Sequence, residues 1–346
     1  MRKFFRIWVA FLMVLGLMIT SASGEDTREE AVDLELPEAA GGELALLSPS
    51  EDPAIGPHGE GYLFAEGKKS PYGYADPSIT VSLGTGVFHK TNYMYARVRI
   101  ANPYQIRVLT AEKSLSKKTT VMGTLLAKRI KAVAAINGVL EADKTSDSDW
   151  ATVVGPVMIQ GEWRRLDAKT SGKKLNDWLA ASALDTLVID SNGDLQILTG
   201  ETWGDIMQQV EELESEAVNV FTFGPGLVVD GEPVYGYDSR QMSTNRPAQR
   251  VALCQTGPLE YLLITSEGPD DPPVDKQGLK LDEFVELIAT EFPEVKTAYN
   301  LDGGSSSTLV FRKGSEFWGK VNCPNSKRKR GLRDIIYFAD AWIPAE

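Results

Sequence analysis

Histidine and cysteine are scarce in this chain of 346 residues, which contains two of each. Such small numbers exclude zinc-finger spacings, an H-E-x-x-H metal site and a disulfide-dense scaffold. Both histidines, His58 and His89, lie early in the sequence, which argues against a Ser-His-Asp triad. Hydrolytic chemistry in this chain would therefore have to depend on carboxylates.

Basic residues are also in deficit, because 36 Lys and Arg face 48 Asp and Glu, for a net charge of −12. This balance argues against a nucleic-acid-binding protein, which needs a positive surface. The acidity is concentrated between residues 25 and 66, where twelve acids accompany a single base, Arg28. Residues 1–24 carry +3 and residues 67–346 carry −4, so the larger part of the chain is close to neutral.

Long apolar runs are absent after the one near the start of the chain, Ile7 to Ile19. Its thirteen residues fall short of the roughly 20 that a membrane-spanning helix needs. The run follows the basic stretch at residues 2–6 and precedes Ala22-Ser23-Gly24, a pattern typical of a secretory signal peptide over residues 1–24. We therefore predict a secreted or cell-surface protein without a membrane span after cleavage; an uncleaved anchor is the alternative.

Residues 25–70 are rich in Glu, Pro, Gly and Ala and poor in aromatic side chains. High charge and low aromatic content predict an acidic disordered linker. Such a linker would serve as a spacer between the signal peptide and a folded domain.

Residues 71–346 have the pattern of a single packed domain. Apolar residues alternate with polar ones from Tyr93 to Ile100, as in a half-buried strand, and an apolar stripe from Leu281 to Phe292 has helical spacing. Further strands are predicted at 152–159, 187–189, 195–198, 218–223, 226–229, 250–254, 259–265, 297–301, 308–311 and 335–338. Because strands and helices do not alternate strictly, we predict an α+β fold with mixed or antiparallel sheets packed against several helices.

The segment from Asn300 to Thr308 is the most unusual in the sequence. A strand runs into Asp302-Gly303-Gly304, and four hydroxyl side chains come next. Two adjacent glycines allow the backbone to expose successive N–H groups as a site for an anion. Asp-Gly is also a common hairpin turn, and spacing alone leaves both interpretations open.

Other polar residues have a structural and a functional interpretation. Asn137-Gly138 follows a predicted buried strand and precedes Glu141, so this turn either presents a carboxylate or is simply exposed to solvent. Arg250 begins a strand and could bind an anion through two hydrogen bonds or lie in solvent. Cys254 and Cys323 could form a disulfide after export or remain free thiols.

Taken in order, six segments resemble motifs of the phosphodiester glycosidase family. Asn300 to Thr308 matches the family's N-L-D-G-G-G-S-S-T except for Ser305 in place of the third glycine. Weaker matches are A-x-N-G-G-F-F with Ala135 to Glu141, F-G-P-x-L with Phe223 to Leu227, P-R-T-A-I-G with Gln249 to Cys254, D-G-R with Glu267 to Pro269, and N-x-P…R-P with Asn322, Pro324 and Arg330. The chain departs from the family pattern at Val139, Cys254 and Pro269, among others.

This resemblance covers about residues 72–340 and implies a hydrolase that releases a sugar from a sugar-1-phosphodiester in extracellular or cell-surface glycans. It implies that Asp302, with Glu141 as a second carboxylate, carries the acid–base or electrostatic role. The residues implied to bind the sugar and the phosphate are Asn137, Arg250, Asn300, Gly303, Gly304, Ser305 and Ser306.

Two other functions are compatible with the sequence. The departures from the family motifs favour a non-catalytic domain that binds phosphate-linked wall or capsule polysaccharide, whereas the presence of Asp302 and Arg250 favours catalysis. A metal-dependent phosphodiesterase is disfavoured by the scarcity of histidine. No cofactor is predicted, although a carboxylate-bound Ca²⁺ is left open, and the sequence does not specify an oligomeric state.

Overall fold

The computed structural model describes residues 29–39, 41–49, 56, 61–112, 119–139, 155–165, 179–180, 182–237, 245–269, 278–314, 317–322 and 330–345. The strands, in chain order, are β1 (Gly42–Leu44), β2 (Tyr62–Leu63), β3 (Gly73–Ala75), β4 (Ile79–Phe88), β5 (Thr91–Ile100), β6 (Ile106–Thr110), β7 (Ala134–Asn137), β8 (Val157–Ile159), β9 (Glu162–Arg165), β10 (Thr186–Asp190), β11 (Leu195–Leu198), β12 (Ala217–Thr222), β13 (Gly226–Val229), β14 (Glu232–Pro233), β15 (Val251–Gly257), β16 (Glu260–Ser266), β17 (Thr297–Asn300), β18 (Leu309–Arg312), β19 (Trp318–Lys320), β20 (Asp334–Phe338) and β21 (Trp342–Pro344). The helices with bounds in the described ranges are α1 (Gly123–Arg129), α2 (Trp203–Glu211) and α3 (Leu281–Glu291).

Three sheets and one short ribbon contain all of these strands. The large sheet has nine strands in the order β14-β13-β17-β15-β16-β5-β4-β3-β2. The second sheet has the order β19-β18-β7-β20-β6, the third has the order β11-β10-β12-β8-β9, and β1 pairs with β21. Neighbouring strands in the described part of the chain pair antiparallel.

The fold is mostly β-sheet, which partly corrects the predicted α+β class. Part of the difference comes from hairpins, since strand pairs such as β4 with β5 and β15 with β16 are joined by tight turns and not by crossover helices. The strands predicted near residues 157, 187, 195, 218, 226, 251, 260, 297, 309 and 335 are confirmed. Mixed or antiparallel sheets packed against several helices were predicted, and the described residues form antiparallel sheets with three helices.

Alternation along the strands separates two hydrophobic cores. In β15, Val251 and Leu253 face a central core that also receives side chains from the second and third sheets. Ala252 and Cys254 face the opposite side, where α3 packs. The large sheet therefore lies between α3 on one face and the other two sheets on the other, which is a layered arrangement that buries both faces of its central strands.

The helix predicted from the apolar stripe after residue 280 is confirmed as α3. Leu281, Phe284, Val285 and Ile288 are all buried against the large sheet. Pro293 comes directly after the C-cap residue Phe292, and a proline disfavours helical geometry in the residue before it. In the same way, α1 packs on the second sheet and α2 on the third.

The acidic stretch that the sequence predicts to be a disordered linker lies partly on the folded domain. Residues 29–39, here called the N-terminal segment, run along the large sheet. Thr85 donates its amide hydrogen to the carbonyl of Glu29 at 2.7 Å, and the Tyr95 hydroxyl accepts from Ala31 at 3.0 Å. Arg99 forms ion pairs with Asp33, Glu35 and Glu260.

Two further parts of residues 25–70 also contact the domain, because β1 pairs with β21 and β2 pairs with β3; the disorder of the linker as a whole stays a prediction. For the N-terminal segment, charge complementarity with Arg99 provides contacts that composition cannot indicate. The predicted signal peptide, residues 1–24, lies outside the described residues, and the boundaries at 24 and 70 remain predictions. None of the helices in the described part of the chain has the length and apolarity required to cross a bilayer.

Replacing Arg99 with glutamine is expected to release the N-terminal segment without unfolding the domain. Exposed ion pairs contribute about 0–1 kcal/mol each, so the expected change is local: faster cleavage within residues 29–39 by a protease specific for acidic residues. Added salt should speed cleavage of the parent and have less effect on the variant.

The matched control is Arg97→Gln, since Arg97 lies two residues away on β5 and pairs with Glu294 at 2.7 Å. Peptide mapping by mass spectrometry would follow cleavage. Equal cleavage rates in the two variants would contradict a specific role for Arg99.

Candidate active site

The loop from Asp302 to Thr308 connects the large sheet to the second sheet. It leaves β17 and enters β18, which belong to different sheets, so the hairpin interpretation is wrong. Gly304 donates its amide hydrogen to the carbonyl of Gln249 at 3.0 Å, and a side chain at Gly303 would place Cβ 2.4 Å from the same oxygen. Gly304 has φ of +56°, a conformation that favours glycine.

Some of the loop amides that the sequence predicts to bind an anion already donate hydrogen bonds within the protein. Ser306 donates to the carbonyl of Gly303 at 3.1 Å and Ser307 donates to that of Gly304 at 3.2 Å, which forms a 3₁₀ turn. Within the part of the chain that the structure describes, the amides of Gly303 and Ser305 have no such protein acceptor. The loop can therefore offer an anion these two amides and its hydroxyl groups, which is less than the full nest that the sequence suggests.

Asn137 ties this loop to the second sheet. It is the last residue of β7 and is 1% exposed. Its side-chain Oδ1 accepts from the amide of Thr308 at 2.9 Å, and its Nδ2 donates to the main-chain carbonyl of Asp302 at 2.6 Å. One buried amide side chain thereby fixes both ends of the loop, and we call this pair of hydrogen bonds the Asn137 bridge.

The turn after Asn137 folds against the start of β20. Gly138 donates its amide hydrogen to the carbonyl of Asp334 at 3.2 Å, and Val139 donates to Oδ2 of the same residue at 3.1 Å. The carboxylate of Asp334 is buried, with the residue 3% exposed. The sequence motifs do not include Asp334, although a charged residue at the entry of an apolar strand is a signal that could have indicated it.

A small cleft gathers several predicted residues beside these two features. Asp302 is half-buried in it, at the position where the loop meets the turn after β7. The cleft is lined by Asn137, Gly138, Asp302, Ser306, Arg330, Gly331, Leu332, Arg333 and Asp334. Two acidic and two basic residues therefore line one cleft, whose volume of about 10 Å³ is close to that of a single water position. Burial lowers the pKa of Arg333, and the charge of Asp334 opposes that shift.

Arg250 lies outside this cleft lining. Its Nε donates to the carbonyl of Leu279 at 2.9 Å and its Nη2 donates to that of Arg246 at 2.6 Å. Burial lowers the pKa of the guanidinium to about 10, with Glu283 opposing the shift, so the group is charged at neutral pH. These contacts hold neighbouring loops together. Arg250 does not line the cleft, and its assignment to the phosphate stays a prediction.

Asn300 and Tyr299 position the turn that contains Gly224. Asn300 donates from Nδ2 to the carbonyl of Gly224 at 2.8 Å, and its Oδ1 is buried without a hydrogen-bond partner in the described part of the chain. The Tyr299 hydroxyl accepts from the amide of Phe223 at 2.8 Å and donates to the carbonyl of Asp185 at 2.7 Å. The predicted substrate contact of Asn300 thus remains a prediction, and its observed contact is structural.

The remaining predicted residues lie outside the cleft or outside the described ranges. Glu141 and Cys323 are not among the described residues, and Cys254 is a buried free thiol whose pKa is raised by burial. Asn322, quoted from the late motif, supports the loop, because its Nδ2 donates to Oγ of Ser307 at 3.0 Å and its Oδ1 accepts from Leu309 at 2.6 Å. The described residues contain no group of three or more His, Cys, Asp or Glu side chains arranged to hold a metal ion.

Known proteins resemble this chain in sequence and in fold. A family model described as phosphodiester glycosidase matches residues 130–339, which is more than half of the chain. The zebrafish N-acetylglucosamine-1-phosphodiester alpha-N-acetylglucosaminidase catalytic domain, auto-inhibited by its pro-peptide, is 16% identical with a TM-score of 0.54, over 79% of this chain and 87% of that chain. A hypothetical protein from Synechocystis is 15% identical with a TM-score of 0.46, over 76% of this chain and 62% of that chain.

The likeness to the zebrafish domain shows a shared fold. The comparison with curated proteins gave no match. The family motif that the sequence matches most closely, Asn300 to Thr308, lies within the range of the family model.

The Asn137 bridge can be tested by its effect on stability. Replacing Asn137 with alanine leaves the carbonyl of Asp302 and the amide of Thr308 without the side-chain groups that bind them, and one such loss costs about 1–3 kcal/mol. Urea unfolding should show a decrease of that order in the free energy of unfolding. The control is Asn192→Ala in the exposed turn after β10; an equal midpoint for the two variants would count against the bridge.

Proposed function

We propose that this chain, which belongs to the phosphodiester glycosidase family, is an exported hydrolase that releases a sugar from a sugar-1-phosphodiester. The observation that carries the proposal is the shared cleft of Asp302, Ser306, Arg330 and Arg333, next to the Asn137 bridge. The name of the zebrafish protein with the shared fold makes an N-acetylglucosamine-1-phosphodiester the first substrate to test. We place its natural form in extracellular or cell-surface glycans because of the predicted signal peptide.

The proposed reaction breaks the bond between the anomeric carbon and the bridging oxygen. Water supplies its oxygen to the anomeric carbon and a proton to the carboxylate of Asp302. The bridging oxygen leaves with the phosphorus as a phosphate monoester. The transition state carries positive charge on the sugar ring, and a half-buried carboxylate beside that ring would stabilise it more strongly than one in water.

The leaving group explains why one catalytic carboxylate, that of Asp302, can suffice for the proposed reaction. A phosphate monoester has a second pKa near 6, so it departs as an anion at neutral pH without first accepting a proton. What it requires instead is compensation of the negative charge that develops on its oxygens. Arg330 and Arg333 are suited to this role, since both line the cleft that contains Asp302.

The loop contributes neutral donors to the same anion. The amides of Gly303 and Ser305 and the hydroxyl of Ser306 lie on the segment that the Asn137 bridge fixes. Donors that are held in place before the substrate binds need no reorganisation during the reaction. In this proposal, Arg250 acts indirectly by holding the neighbouring loops, and Glu141 is not needed for the described chemistry.

The Asp302→Asn variant tests the proposal. An amide in place of the carboxylate cannot accept a proton, and loss of a general base lowers kcat by about 10²–10⁴-fold. Release of free reducing sugar from an N-acetylglucosamine-1-phosphodiester should be measured for the exported form of the parent and the variant. Asp230→Asn, in the exposed turn after β13, is the control and should retain the parent rate.

Full activity in Asp302→Asn would contradict the assigned role. Binding of the diester by the parent without turnover, unchanged in Asp302→Asn, would instead indicate the glycan-binding function. Loss of sugar release from the parent on treatment with a chelator, with recovery on addition of Ca²⁺, would show that a bound cation takes part.

A further inference from the structure

We propose that Asp334 is a positioning residue of this site, which it serves by holding the turn after β7 so that Asn137 can fix the catalytic loop. This inference rests on the proposed function. Neither the sequence motifs nor the family resemblance points to Asp334. Its assignment comes from the contacts that its main chain and its side chain make with the same turn.

Asp334 binds two successive residues of that turn. Its carbonyl accepts the amide hydrogen of Gly138 at 3.2 Å, and its Oδ2 accepts that of Val139 at 3.1 Å. A turn held through two adjacent amides has little freedom to rotate. The turn begins at Asn137, which is itself paired with Ile335 of β20, so these two contacts extend the support of Asn137 by two residues beyond the end of β7.

The second half of the connection is the Asn137 bridge. Nδ2 of Asn137 donates to the carbonyl of Asp302 at 2.6 Å, while Oδ1 accepts from Thr308 at 2.9 Å. The Asp334 carboxylate is therefore connected to the main chain of Asp302 through the backbone of residues 137–139 and then through the Asn137 bridge. Displacement of the turn would displace the Asp302 carboxylate relative to the anion-binding groups in the same cleft.

Gly138 shows that the carboxylate and the turn require each other. A Cβ atom at this position would lie 2.0 Å from Oδ2, 2.4 Å from Cγ and 2.8 Å from Oδ1 of Asp334. Each of these distances is shorter than any normal contact, so only glycine allows the carboxylate to lie against the turn. All three atoms belong to the carboxyl group of Asp334, so truncation of this side chain to alanine would remove these three close contacts.

The first part of the test compares Asp334→Ala with Asp334→Asn. Asparagine retains an acceptor oxygen for Val139, so it should keep kcat close to that of the parent, whereas alanine should lower kcat by about 10²-fold, the typical effect of a displacement near 1 Å. KM should change less than kcat, because the groups that bind the anion remain. Hydrogen exchange of the Val139 amide should be faster in Asp334→Ala and protected in Asp334→Asn.

The matched control is Asp190, which is also 3% exposed and whose Oδ1 accepts the amides of Asn192 and Asp194 at 2.9 Å in the turn after β10. Asp190→Ala should lower the melting temperature and leave kcat of the folded protein unchanged. A comparable loss of kcat in Asp190→Ala would show that any loss of a buried turn contact impairs the enzyme, and would overturn the proposal.

The second part is a double-mutant cycle with Gly138→Ala. In the parent background this change should lower both kcat and the melting temperature, because the new Cβ displaces the carboxylate. In the Asp334→Ala background the three conflicting atoms are gone, so adding Gly138→Ala should cause little further loss. Such non-additivity is the mark of two residues in direct contact.

Three results would overturn the proposal. The first is strictly additive losses in the cycle. The second is unchanged exchange of the Val139 amide in Asp334→Ala. The third is a loss of kcat in Asp334→Asn as large as that in Asp334→Ala, while the Val139 amide of the asparagine variant stays protected. That result would assign a direct chemical role to the carboxylate. Melting and exchange do not depend on turnover, so an inactive parent would refute the proposed function and leave these two measurements to decide the role of Asp334 in the turn.

Discussion

The candidate site depends on the buried amide of Asn137. A loop that leaves one sheet and enters another has no strand partner of its own, so its position depends on individual contacts, one of which is the main-chain hydrogen bond from Gly304 to Gln249. Asn137 supplies that position by accepting a hydrogen bond from Thr308 and donating one to Asp302. Each of these contacts is short and screened from water, where hydrogen bonds are electrostatically strong and unpaired groups are costly. The rest of the cleft is built around these two fixed points.

The charges of the cleft result from this arrangement. Asp302 lies beside Arg330 and Arg333 because the loop and the start of β20 both meet the turn after β7. Guanidinium groups near a half-buried carboxylate provide both parts of the proposed reaction, namely a site for the phosphate and a group that accepts a proton.

The sequence predicted the features that depend on local pattern. Apolar spacing located α3 and most strands, and the glycine pair after Asp302 indicated an unusual loop. The features that it could not predict depend on tertiary contacts. The Asp-Gly step resembles a hairpin until the sheets of β17 and β18 are known, Arg250 has the same local pattern whether it binds a ligand or two carbonyls, and Asp334 acts on residues almost two hundred positions earlier.

The central claim is cleavage at the sugar carbon, and the most direct measurement is hydrolysis of a sugar-1-phosphodiester in water enriched in ¹⁸O. Attack at the anomeric carbon places the heavy oxygen in the released sugar and leaves the phosphate monoester unlabelled. Mass spectrometry of both products, taken early enough to limit exchange at the sugar, distinguishes the two bonds. We expect ¹⁸O in the sugar; ¹⁸O in the phosphate would contradict cleavage at the sugar carbon and identify a phosphodiesterase that breaks the P–O bond.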